Sequence, residues 1–312
     1  MINKMKHINN IIKGLLFMTL PLSFSACREV EVIADDIYIP GLGGTDEVPN
    51  EVDYWLYDNF TEPYNIEVVY RWDASQMHNS LAAKLVPIEF EAIMPMMAAM
   101  RDVWFEPFNL AAGEDFLKLL APKKVVLVGS PEFQNGTIKL GQAEGGKKIL
   151  LLNANNFDPT DEDVLKSALH TVVHEFAHIL HQTTMFDKNY QAISSGNYNS
   201  TGWQEVSNEE AYRLGFISNY AMSGKDEDFV EMISLILVYG YDWYKSTIVA
   251  QAEMSTTIDA AGALQRKLSM VEDYMKNIWG ITFLDNTVTG EKGLESYMQE
   301  AVKKVIVTPP SE

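Results

Sequence analysis

The sequence predicts an α+β fold, on three observations. Strand-like runs are confined to the first half of the chain. Helix-like periodicity takes over after about residue 155 and continues almost to the end. Nothing linker-like separates the two halves, so they read as parts of one domain. The 312 residues, 47% of them hydrophobic, are enough for a single sizeable core.

The elements follow in order. Residues 1–26 read as a secretory signal: Lys4, Lys6 and Lys13 precede a short apolar stretch that ends in small residues at Ser25-Ala26. The stretch is too short to span a membrane. Cys27 stands where a bacterial lipoprotein is cut and acylated, and Ser25-Ala26-Cys27 resembles a lipobox, with Phe24 departing from the usual aliphatic residue. Cys27 is therefore the expected lipid anchor, with 27–52 as a tether around Pro40-Gly41 and Gly43-Gly44, and 53–312 as the soluble, tethered domain. Residues 65–70 are β-branched and aromatic and predict a strand. Residues 87–106 predict a helix through Pro95, with Met94, Met96, Met97 and Met100 as adaptable core packing. Residues 125–128 predict an apolar strand, and 137–140 with 148–153 a hairpin around Gly145-Gly146. Helices are expected over 161–182, 207–222, 226–248, 260–279 and 291–305.

Charge and composition narrow the function. With 24 Lys+Arg against 43 Asp+Glu, the net charge is −19, which excludes phosphate-directed nucleic-acid binding and adhesion to anionic lipid. Cleavage after residue 26 removes three Lys and no acid, which takes the net to −22. One Cys permits neither an intrachain disulfide nor a thiolate zinc cluster. Four of the six His (His170, His174, His178 and His181) fall on the 161–182 helix.

That helix carries His174-Glu175-Phe176-Ala177-His178, the H-E-x-x-H pattern. Thr160 and Asp163 resemble a capping box at its start. Leu165, Leu169, Val172, Phe176 and Ile179 recur at helical spacing and predict a buried stripe. Residues four apart lie one above the other on a helix, so His174 and His178 can converge on one zinc ion, Zn2+. Glu175, about 100° around, is free to act on water as general base. His170 and His181 sit too far along the axis to share that ion, which leaves them supporting roles. The metzincin extension needs Gly at 181 and His at 184; His181 and Thr184 exclude it. The third ligand is then a carboxylate. Glu227 and Glu231 lie one turn apart on the next long helix: one can ligate while the other holds a His by its free ring N–H. Glu209 is a weaker candidate, because Arg213 occupies the position where a supporting carboxylate would be needed.

Residues 170–182, followed by Tyr220 and Glu227-Asp228-Phe229-Val230-Glu231, resemble the gluzincin-type metallopeptidases related to lethal-factor-like toxins. With the lipoprotein N-terminus, the chain resembles more closely the substrate import-associated zinc metallohydrolase lipoproteins of outer-membrane glycan-uptake loci. The resemblance rests mainly on 160–240. It implies a zincin-like fold, Glu227 as ligand with Glu231 as its alternative, and Tyr220 as donor to the oxyanion. Asp228 stands where the toxin block has an apolar residue. The resemblance further implies a zinc metallopeptidase acting on peptide or glycoprotein, on the periplasmic or external face of the outer membrane beside a transporter. The competing reading is a non-catalytic glycan- or glycoprotein-binding surface lipoprotein, against which an intact Glu175 argues. An extended substrate is expected to pair with a strand edge at 137–140 or 148–152.

Overall fold

The computed structural model describes residues 48–76 and 85–310, except 135–136, 140 and 145–146, and no side chains between 133 and 146. The signal, Cys27 and most of the tether lie outside the described residues. Contacts separate Met1–Val48 from Pro49–Glu312, and the second unit spans the transition near 155 without division. The stretch expected as a tether, 27–52, overlaps the described residues only at 48–52. Asn50 already caps helix α1 (51–64): its side chain accepts the Asp53 N–H at 3.1 Å, while Asp53 accepts the Asn50 N–H at 2.8 Å.

Strand β1 (Glu67–Val69) follows α1. Helix α2 (90–112) then runs past Pro95 and through a π-helical turn at Arg101–Phe105. Met96, Met97 and Met100 are buried, as core packing requires. Helix α3 is Glu114–Leu120, and β2 (Lys124–Leu127), β3 (Glu132–Gln134), β4 (Thr137–Lys139), β5 (Gly141–Glu144) and β6 (Lys148–Leu151) complete the strands.

The main sheet has the order β1-β2-β6-β5, with β1, β2 and β6 parallel and β5 antiparallel to β6. Its central strands are covered on both faces, which explains their uninterrupted apolar runs. Val125, Leu127, Ile149 and Leu151 face the main core, while Val126, Leu150 and Leu152 alternate to a second small cluster. The expected hairpin is corrected here: β6 turns back onto β5, whereas β4 pairs with β3 in a separate two-stranded sheet. The edge expected at 148–152 therefore does not hold, while β4, within the edge expected at 137–140, pairs on one side with β3 and is an edge strand of its two-stranded sheet. Strand β6 is internal, and the outer edge beyond it belongs to β5.

Helix α4 (Glu162–Thr183) packs across β5 and β6. Its cap is Asp161, whose carboxylate accepts from Asp163 N and Val164 N at 3.0 and 3.2 Å. Thr160, expected in that role, instead bonds Asp158. The predicted stripe is buried throughout, and Phe176 meets the rings of Trp104, Phe108 and Phe116.

Two expected helices are cut short by glycines at positive φ, where other residues are strained. The 207–222 segment gives only α5 (Asn208–Arg213), because Gly215 (φ 83°) turns the chain. The 226–248 segment gives α6 (Lys225–Tyr239), ended by Gly240 (φ 95°), before α7 (241–252) resumes. Helices α8 (Ala260–Trp279) and α9 (Leu294–Val307) stand close to expectation. Among the described residues, no helix is long and apolar enough to cross a membrane.

Candidate metal centre

Helix α6 lies along α4, and the two present opposed polar positions in an otherwise apolar contact. From α4, His174 and His178 stand one turn apart, ring centroids 4.9 Å apart. From α6, Glu227 comes between them: its Oε2 lies 3.2 Å from His174 Nε2 and 3.3 Å from His178 Nε2. A tetrahedral site with arms of ~2.0–2.1 Å has edges of roughly 3.3 Å. The two edges that Glu227 Oε2 makes with the imidazoles thus match those of a zinc tetrahedron, the three donor atoms lie within 4.8 Å of one another, and two imidazoles with one carboxylate suit zinc chemically.

Glu231, one turn further along α6, lies on the opposite side of His174. Its Oε1 accepts from His174 Nδ1 at 2.8 Å and contacts His170 Nε2 at 2.9 Å. Its Oε2 accepts the Ser218 hydroxyl at 2.6 Å, and Ser218 Oγ in turn accepts the Ala221 N–H. These contacts tie the turn carrying Tyr220 to α6. His170, His174 and Glu231 form a second cluster with metal-capable spacing, here a hydrogen-bonded group in which His174 and Glu231 are buried and His170 is partly exposed.

The charges support one another. Burial disfavours an ionised His174, but the flanking Glu227 and Glu231 carboxylates outweigh it and raise its pKa to about 10. Burial likewise opposes the charge of Glu227 and Glu231, yet the neighbouring imidazoles hold both carboxyls well below the usual carboxylate range. Burial and the nearby His178 push His181 down to about 4.

The Tyr220 ring lies 5.8 Å from that of His174 and packs on Trp203 at 5.0 Å. Burial and the nearby Glu227 carboxylate push its pKa well up. Glu175 is half-buried and makes no hydrogen bond among the described residues. Glu209 lies exposed on α5, and no metal-capable group of described residues includes it; Arg213 bonds Gln251. Sequence reasoning missed Ser218 and Trp203, for which spacing offers no signal. It also gave no role to Asp228, which is fully buried against Lys267 at 2.7 Å.

The model of a family described as "putative zinc-binding metallo-peptidase" matches residues 45–284. The chain belongs to that family. A solved structure described in the same words, from Bacteroides caccae ATCC 43185, is 31% identical with a TM-score of 0.66, over 81% of this chain and 92% of that one. No curated protein matches. The fold is thus that of a zincin-like metallopeptidase, and zinc is the metal.

Proposed function

We propose that the chain is a gluzincin-type peptidase in which His174, His178 and Glu227 hold zinc. The spacing of His174 Nε2, His178 Nε2 and Glu227 Oε2 carries this reading. Glu231, on the far nitrogen of His174, orients that ring. Bound zinc supplies Lewis-acid polarisation of the scissile carbonyl and an acidified water. Glu175, without a competing partner among the described residues, takes the water proton and delivers it to the leaving nitrogen. The Tyr220 hydroxyl, whose ring lies 5.8 Å from that of His174, donates to the developing oxyanion.

The substrate is an extended peptide or glycoprotein segment paired along the outer edge of β5, beside α4. A cavity of about 230 Å³ lined by Met96, Leu151, Leu152, Ser167 and Thr171 adjoins the same helix and suits a substrate side chain. Thr171 precedes His178 by seven residues and so shares its face. The enzyme is acylated at Cys27 and held on the outer membrane beside a nutrient importer, a reading supported by the Ser25-Ala26-Cys27 signal.

Metal analysis and a peptide-library digest of the mature chain test this reading. Wild type should bind one zinc per chain and cleave peptides, and Glu227→Gln should lose both properties. If Glu227→Gln keeps wild-type zinc affinity while Glu231→Gln loses it, the ligand assignment is wrong. Tyr220→Phe should lower kcat about 10²-fold with KM and zinc content little changed; unchanged kcat removes Tyr220 from the mechanism.

A further inference from the structure

Beyond the ligands, α4 holds two imidazoles that the mechanism above does not use, His170 against Glu231 and His181 against His178. His181 is 3% exposed, and its Nε2 lies 2.9 Å from His178 Nδ1, three residues back on the same helix face. We propose that His181 is a positioning residue: when His178 ligates through Nε2, His181 accepts its Nδ1–H and so holds that ring in the orientation that turns Nε2 toward Glu227. This rests on His178 being a zinc ligand.

The argument is one of proton counting. A neutral imidazole has one N–H and one lone pair, so a contact between two ring nitrogens has a direction. If His181 donates, His178 accepts at Nδ1 and must carry its own proton on Nε2, which closes it to metal. If His178 donates, its Nε2 lone pair points at the corner shared with His174 and Glu227. His181 must then hold its proton on Nδ1. That atom is buried and has no hydrogen-bond partner among the described residues. It is unmatched whichever tautomer His181 adopts, so local hydrogen bonding does not select the direction. Ligation at His178 Nε2 selects it. The ring is also held sideways: Phe186 packs edge-on against it at 5.7 Å and stacks on Phe229 of α6 at 4.1 Å. The two ligands are thus supported differently, His174 by the Glu231 carboxylate and His178 by a neutral imidazole.

Two measurements test this on the mature, zinc-loaded protein. Ring-nitrogen NMR with labelled histidine should show His181 protonated on Nδ1 and bare on Nε2, with the His178 proton on Nδ1. A His181 protonated on Nε2 overturns the proposal. Chelator competition should show zinc Kd raised about 10-fold in His181→Leu and restored to within about 3-fold in His181→Gln, whose amide oxygen accepts in place of the ring. Equal affinity in the two variants overturns the proposal, and zinc-free melting curves establish that both fold. If His181→Leu does not fold, the NMR of the unaltered protein decides. His178→Ala separates the two levels. If it keeps zinc, the ligand reading fails and this proposal with it; if it loses zinc, a null result at His181 overturns this proposal alone.

Discussion

Glu175→Gln lowers kcat for peptide hydrolysis by about 10³-fold and leaves one zinc per chain: that is the expected result of removing the base. Glutamine keeps the volume and polarity of the side chain but has no carboxylate to take a proton. Glu175 belongs to neither metal-capable cluster, so zinc content should not follow activity. It also makes no hydrogen bond among the described residues, so no packed network collapses with the substitution. Single-turnover kinetics on a peptide found by library digest, beside metal analysis of the same sample, measures both quantities. Retention of more than about a tenth of wild-type kcat sinks the assignment, because a base worth about 10²–10⁴-fold cannot be lost that cheaply. Loss of zinc together with activity also counts against it, since the residue would then support the metal.

The parts of this site differ in how far the sequence discloses them. His174 and His178 were legible because one helix sets their separation, and a regular stripe of Leu165, Leu169, Val172, Phe176 and Ile179 announces that helix. Glu227 lies 49 positions beyond His178; helix spacing pointed only to the pair Glu227 and Glu231, and resemblance favoured Glu227 within it. Choosing between Glu227 and Glu231 turns on which nitrogen of His174 each faces, which is a matter of tertiary packing. The hairpin was misread for a related reason. Gly141-Gln142-Ala143-Glu144 has no β-branched residue and no apolar alternation, and becomes a strand by pairing with β6. Helix ends at Gly215 and Gly240 were missed because an isolated glycine is tolerated in helices, and only the positive φ shows that each one turns the chain.

Asp228 and Lys267 form the feature furthest from sequence reach, and they support the second large expected effect. Lys267→Met should lower the melting temperature of the zinc-free protein by about 10 °C. Both side chains are fully buried, with Lys267 Nζ 2.7 Å from Asp228 Oδ2, 2.9 Å from Oδ1 and 2.7 Å from the Gly215 carbonyl. Burial pushes the Asp228 carboxyl up and the Lys267 ammonium down, and each is drawn back by the other. Removing one partner strands a buried charge, at about 3–5 kcal/mol. For a domain of this size each kcal/mol moves the melting temperature by about 2–4 °C. The double variant Lys267→Met/Asp228→Asn removes both charges and keeps an acceptor for the Tyr198 hydroxyl, which bonds Asp228 at 2.8 Å. It should therefore recover most of the loss, and the cycle of four proteins isolates the coupling. A drop below about 2 °C in Lys267→Met, or no recovery in the double variant, rejects the pair as a stabilising unit. Asp228 directly precedes Phe229 and follows Glu227, so the pair anchoring α6 to α8 also fixes the helical turn that presents the carboxylate to His174 and His178. An acid at the position where the toxin block carries an apolar residue is thus compatible with the same helix packing because Lys267 neutralises it from across the core.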